Sequence, residues 1–341
     1  MTPLARRRWE TFKRNKRGYY ALWIFLILFI VSMFAPFLAN DKPILLWYKN
    51  HLFFPMYETV NDNELDGNLP TPADFKDAFT KWQIQKYGWA LSTPIPYSFD
   101  TVDYFSTEPF PTAPSVVHWL GTDDQGRDVL ARLIYAVRVS LLFGILLTVA
   151  SVVIGVFVGA VQGYFGGKTD LLTGRFLEVW SSLPQLFILI IISSLIEPGF
   201  FSLLIVLLFF SWTSLTGVVR AEFLKAREMD YVRAAKGLGV SDWVIIRRHI
   251  LPNALVATIT YVPFMISGAI VALSALDFLG FGLPAGSASL GELIRVGKEN
   301  LQAPWLGFSV FVVLTVLLSL LLFIGEGVRD AFDPNGRENT R

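Results

Sequence analysis

Apolar residues run along this chain in long blocks separated by short polar segments, without the one-faced stripe of a soluble helix. Crossing about 30 Å of hydrocarbon takes roughly 20 apolar residues wound as a helix, the one open segment that satisfies its own backbone in lipid. Six stretches reach that length: 19–39, 138–162, 171–196, 200–219, 254–276 and 305–328. Glu197, Pro198 and Gly199 alone divide the third from the fourth and predict a tight turn at one surface. Pro184 and Pro263 fall inside predicted spans, where neighbouring helices satisfy the carbonyls a proline frees. The pattern predicts an all-α membrane protein with about six transmembrane helices.

Composition agrees. Of the 341 residues 53% are hydrophobic and 17% charged, against roughly 25% charged in soluble domains, and the mean hydropathy is +0.49. The absence of cysteine excludes a disulfide framework, a thiol nucleophile and a cysteine metal site. His51, His118 and His249 are far apart in sequence, so no metal site is expected. A net charge of +1 gives no reason to expect a nucleic-acid partner.

Charge placement sets the expected orientation. Seven lysines and arginines (Arg6, Arg7, Arg8, Lys13, Arg14, Lys16, Arg17) precede the first span, whose apolar run exceeds the roughly 7–15 residues of a signal peptide, so 19–39 reads as a retained anchor. Another seven lie in the loop 220–253, and Arg329, Arg337 and Arg341 follow the last span. The turn at 197–199 has none. Both termini (1–18 and 329–341) and the 220–253 loop are therefore expected in the cytoplasm. Residues 40–137 form an external, periplasmic insert between the first two helices, and 138–328 a five-helix core. Arg127, Arg132 and Arg138 run against this count, but after a long segment, where the rule is weak. The insert is rich in Pro, Asp and aromatics (Trp47, Tyr48, Phe53, Phe54, Trp82, Tyr87, Trp89), a mixture that suits a small packed cap or an interfacial lid.

The 220–253 loop reads as two short helices with a break. Ala234 and Ala235 are small enough for another backbone to approach; Gly237 and Gly239 are expected to end the first helix, and Ser241 to cap the second. Trp243, Ile246 and Ile250 fall at helical spacing, and Pro252 is expected to stop the helix before the fifth span. On these residues alone, a solvated hairpin linking two spans and a docking element stand as equal alternatives.

The same stretch resembles the EAA loop of ABC importer permeases. Ala234-Ala235, Gly239 and Leu251-Pro252 fall at the family's spacing, and Arg233 stands where the name-giving glutamate would be. Asp230-Tyr231-Val-Arg233-Ala-Ala, ending His249-Ile-Leu-Pro252-Asn253, is similar to the dipeptide and oligopeptide branch. Three further segments resemble it: Leu120-Gly-Thr-Asp123 to Asp128, Gly163-Tyr-Phe-Gly-Gly167 to Asp170, and Leu276-Asp-Phe-Leu-Gly-Phe-Gly282. The resemblance covers about 119–330 and the basic first span. With its long insert the chain looks most like the C-type permeases of Yej-type importers, associated with microcin C and peptide uptake.

This resemblance implies a type I ABC importer permease fold working by alternating access. Residues 231–239 would dock in a cleft of the ATP-hydrolysing subunit. A second permease, two ATP-binding cassette subunits and a periplasmic solute-binding protein would complete the importer in the bacterial inner membrane. Membrane lipid surrounds it, the cargo is a peptide or peptide-like compound, and ATP, the only cofactor implied, is bound by the partners.

Gly163-Tyr-Phe-Gly-Gly167-Lys168-Thr169 approaches a phosphate loop, but three residues rather than four separate the glycines, and a span rather than a strand precedes it. No enzymatic activity of the chain's own is expected. An ion-coupled secondary transporter is the alternative, and it would place ionisable groups near the bilayer midplane. Arg175, Glu178, Asp277 and Glu326 lie instead near span ends. Small polar residues on the spans (Ser181, Ser182, Ser193, Thr260) are the expected lining of the pathway.

Overall fold

The computed structural model describes residues 3–104, 106 and 108–332; Arg337 and Arg341 of the tail lie outside them. Helices α1 (Pro3–Arg14), α2 (Lys16–Met33) and α3 (Ala35–Leu38) lead into strands β1 (Leu45–Tyr48) and β2 (His51–Phe53). Helix α4 (Ala78–Tyr87) and strand β3 (Gly88–Leu91) follow. The rest is helical: α5 (Val129–Phe165), α6 (Gly167–Ser182), α7 (Gln185–Leu195), α8 (Phe200–Ser211), α9 (Thr213–Arg227), α10 (Asp230–Gly237), α11 (Asp242–Phe278), α12 (Leu290–Glu299) and α13 (Pro304–Phe332).

Helices α2, α5, α11 and α13 are each long and apolar enough to cross a membrane, and the bent pairs α6–α7 and α8–α9 bring the total to six. Two prolines expected inside spans behave differently. Pro263 stays within α11, whereas the pair at Pro184 bends by 76°. Proline disfavours helical geometry in the residue before it, and Leu183 is extended at ψ 135°. The 41° bend between α8 and α9 at Trp212 has no proline. The hydroxyls of Ser211, Thr213, Ser214 and Thr216 each donate to a carbonyl three or four residues back, a pattern that bends helices.

Two boundaries shift. Helix α5 starts at Val129, ahead of the apolar run expected from 138, and its first residues belong to the compact unit that holds the insert. Pro252 does not stop a helix; it lies within α11, because residues 245–250 wind as a π turn in which the Leu251 N–H donates to Ile246, five residues back. A proline near the start of renewed α winding loses no bond it needs.

The chain divides into two compact units, one holding residues up to Leu28, Ser140–Pro284 and those from Val313, the other Phe29–Val139 and Ala285–Val312. In the first, Phe143, Leu147, Leu203, Leu207, Leu273 and Leu276 share one buried cluster, and Phe223, Val232, Ile245 and Ile250 belong to another. Gly18 lets α2 lie against α13: a Cβ there would sit 3.0 Å from Gly327 Cα. Asn15 adds a 2.9 Å hydrogen bond to Asp330.

The second unit contains the insert, which is not purely helical. Its strands form an antiparallel sheet in the order β2-β1-β3, with Leu46, Tyr48, Val60, Leu65 and Ile84 as its core. Asp77 caps α4 by accepting from the N–H groups of Phe79 and Thr80. A buried ionic group lies just before and within the start of α5. Asp123 accepts from Arg127 Nε at 2.7 Å and faces Arg132 at 3.2 Å; Arg132 in turn donates to the Ser287 carbonyl. Two of the three arginines that opposed the orientation count, Arg127 and Arg132, thus have a local carboxylate partner. His118 lies between Asp128 (2.8 Å) and Asp103 (3.2 Å). Burial works against its protonated ring, but the two carboxylates outweigh it and raise its pKa above the ordinary histidine value.

Candidate functional site

Helix α10 has an inner and an outer face. Val232 and Ala235 are buried in the cluster that also holds Phe223, Ile245, Ile246 and Ile250. Tyr231, Arg233, Ala234, Lys236 and Leu238 are exposed, Leu238 at 84%. The paired alanines therefore differ: Ala235 packs inward, and Ala234 is exposed on the outer face. Asp230 and Met229 stand exposed at the start of the helix.

The helix ends in a Schellman motif. The Val240 N–H donates to the Ala235 carbonyl and the Gly239 N–H to that of Lys236. Gly239 takes the left-handed conformation at φ 78°, while Gly237 is the last helical residue; of the two glycines only Gly239 is required by geometry. Ser241 occupies the N-cap position of α11 without a capping bond. Trp243 is 63% exposed and does not share the buried side of Ile245, Ile246 and Ile250. His249, Pro252 and Asn253 lie exposed on α11, where the Asn253 side chain donates to the His249 carbonyl at 3.4 Å.

Glu228 joins α9 to α10 electrostatically. Arg233 donates to it at 2.8 Å and Arg227 at 3.2 Å, and these arginines, Arg233 foremost, hold the Glu228 carboxyl below its ordinary pKa. Tyr164 at the end of α5 bonds to Asp242 at 2.5 Å.

A seam missed in the sequence carries α9, and with it this loop, against α5. Gly155, Gly159 and Gly163 recur every fourth residue, and Cβ atoms built on them would meet the Trp212, Thr216 and Arg220 carbonyls at 2.8, 2.7 and 2.6 Å. Backbone contact of this kind needs glycine at all three positions; the small-xxx-small spacing was its visible signal.

A cavity of about 560 Å³ opens among α5, α7, α8, α9 and α11, lined by Thr148, Ser151, Gln185, Ser211, Ser214, Tyr261 and apolar neighbours. The buried hydroxyls of Thr148 and Ser151 have no hydrogen-bond partner among the described residues. None of the four expected pathway residues lines this space. Ser181 and Ser182 end α6, Ser193 borders a smaller hollow beside Pro198, and the Thr260 hydroxyl donates to the Ala257 carbonyl.

Residues 128–337 match the family model described as binding-protein-dependent transport system inner membrane component. Residues 3–63 match the N-terminal TM domain of oligopeptide transport permease C. The chain is 52% identical over 98% of each sequence to the inner membrane ABC transporter permease protein YejE of Escherichia coli K12. It is 50% identical, over 98% of this chain and 93% of the relative, to the peptidoglycan transport system permease protein YejE of Agrobacterium fabrum. Against the dipeptide transport system permease protein DppC of Lactococcus lactis the identity is 31%, over 97% and 90%.

Proposed function

Since the chain belongs to the family of binding-protein-dependent transport system inner membrane components, and so is a multi-pass permease of an ATP-driven importer rather than an ion-coupled secondary transporter, we propose that α10 is where ATP hydrolysed by partner subunits is converted into movement of the spans. The observation that carries the reading is the two-sidedness of α10: one face locked into a membrane-domain cluster, the other presenting Tyr231, Ala234 and Leu238 as exposed side chains. Closure of two ATP-binding cassette subunits would push on the outer face. The inner face would pass that push to α9 and α11, and the glycine seam to α5. A shift between two packings changes which side of the pathway is open only by the difference in binding free energy between them.

In this reading both termini and the 220–253 loop are cytoplasmic and the insert periplasmic. The chain itself hydrolyses nothing and binds no cofactor. A second, similar permease completes the pathway, and α6, which buries none of its own residues and exposes Leu171, Leu172, Phe176 and Val179, is the surface it would cover. A solute-binding protein delivers the cargo. Its class, a peptide or peptide-derived compound, follows the named transport of the relatives. The cavity beside Thr148 and Ser151 is where polar groups of the cargo would find hydroxyl partners.

Purification of the tagged chain in mild detergent from cells expressing the whole importer tests this. Both the second permease and the ATPase are expected to co-purify, and Ala234→Trp to lose the ATPase while keeping the permease. A chain that purifies alone, or an Ala234→Trp variant that retains its ATPase, refutes the reading.

A further inference from the structure

Strand side chains alternate between two faces, and the pairing of β1, β2 and β3 fixes which residues share each. Leu46, Tyr48, Phe53 and Ala90 turn toward the core of the insert. On the opposite face Trp47 stands across from both Leu52 and Trp89, and Leu45 across from Leu91. No polar side chain interrupts that face, and Leu52, Trp89 and Leu91 are 46%, 52% and 53% exposed. An antiparallel sheet with one side in water carries polar residues on that side. A face of tryptophan and leucine calls for a different neighbour.

The apolar surface continues past the sheet to the first span. Phe54, two residues beyond Leu52, is also exposed, and its carbonyl accepts from the Tyr57 N–H at 2.8 Å. The Tyr57 ring lies 6.5 Å from that of Phe37, and Phe37 lies 6.1 Å from Phe34. Phe34 directly follows α2 and is exposed together with Ile30 and Val31 in the last turn of that helix. Residues 39–44 alone separate α3 from β1, so β1 begins within at most about 25 Å of the end of α3. An aromatic run therefore joins the lipid-facing end of a membrane helix to the outer face of the sheet. Tryptophan and tyrosine, apolar with one polar tip, favour the membrane–water boundary.

We propose that the outer face of this sheet lies in the headgroup region of the bilayer, with Trp47 and Trp89 as interfacial anchors, so that the insert rests on lipid instead of standing free in water. The chain has no cysteine, so Leu52→Cys and Leu91→Cys each create a unique site for an environment-sensitive fluorophore, and Leu69→Cys, at a residue 59% exposed away from the sheet, serves as the control. With the full chain in nanodiscs containing headgroup-nitroxide lipid, labels at 52 and 91 are expected to be quenched severalfold more than the label at 69, and severalfold less by iodide in the water. Equal responses at the three positions overturn the proposal. So does protection from iodide that appears only when the binding protein or the second permease is added, because the face would then be a protein dock.

Discussion

The Arg220 guanidinium grips the Asp170 carboxylate with two hydrogen bonds, from Nε at 2.5 Å and Nη2 at 2.7 Å, and so fastens the start of α6 to α9. Asp170 sits in the first turn of α6, where a carboxylate also favours the helix N-terminus. Arg227, one helical stretch further, reaches back to the Gly163 carbonyl. The turn after α5 is thus tied to the helix that leads into α10.

Arg220→Lys keeps the charge and loses the planar fork. With both groups partly exposed, the stability cost is expected to be only about 1 kcal/mol. The larger effect is expected in coupling: ATPase activity of the reconstituted importer persists while uptake per ATP falls. Uptake and phosphate release measured on the same proteoliposomes check this.

Along the seam, the Cβ of Gly159→Ala would press on the Thr216 carbonyl and Val219 Cβ, at 2.7 and 2.8 Å, and the two helices would have to part. A loss of about 1–3 kcal/mol is expected, seen as a lower unfolding temperature in detergent. Gly217→Ala on α9, where nothing lies within 4 Å, is expected to be neutral or to gain up to about 1 kcal/mol from helix propensity. Equal melting temperatures for the two variants would show that the seam is loose.

Gly239 also has open space around it, so the demand there is conformational and not steric. Gly239→Val forces a β-branched residue to φ 78° at a cost of about 1–2 kcal/mol, and the end of α10 is expected to refold. Membrane insertion should be normal, with uptake lost and ATPase activity retained. Gly239→Asn, which tolerates the left-handed region, should keep most uptake.

His118 gives the insert a pH dependence of definite sign. Its folded pKa is raised above the unfolded value of about 6.5, so folding favours the protonated ring. The stabilisation is fully present below pH 6.5 and is lost as pH rises through the raised pKa. Unfolding of the insert followed by tryptophan fluorescence should therefore occur at lower temperature as pH rises through this window, and His118→Gln should flatten the dependence.

Lipid-crossing segments were legible from the sequence because apolar blocks of this length have few alternatives in water. The breaks inside them were not. Pro184 and Pro263 look alike along the chain, and only tertiary packing keeps one inside a continuous helix and lets the other bend. In the loop, the spacing of small residues marked α10 correctly, yet it did not distinguish Ala234 from Ala235, since that depends on the phase at which the helix meets Phe223 and Ile245. The insert gave no strand signal for two physical reasons. With both faces apolar, Leu45-Leu-Trp-Tyr48 shows no alternation, and its hairpin turns on Lys49 and Asn50, both at positive φ, where an Asn-Gly pair would have announced it.

The π turn at 245–250 has a consequence for counting. An α-helix advances about 100° per residue, so the wider winding of these six residues resets the azimuth of everything beyond them. Helix α11 is one rod with two phases: Trp243 is set by the first, and Ile250 and Ala254 by the second. Because one π turn takes up one extra residue, deleting a single residue within it would restore plain α winding and leave the two halves facing as they do now. The same deletion elsewhere in α11 would rotate one half by about 100° against the other and turn side chains that now fill a core toward its edge.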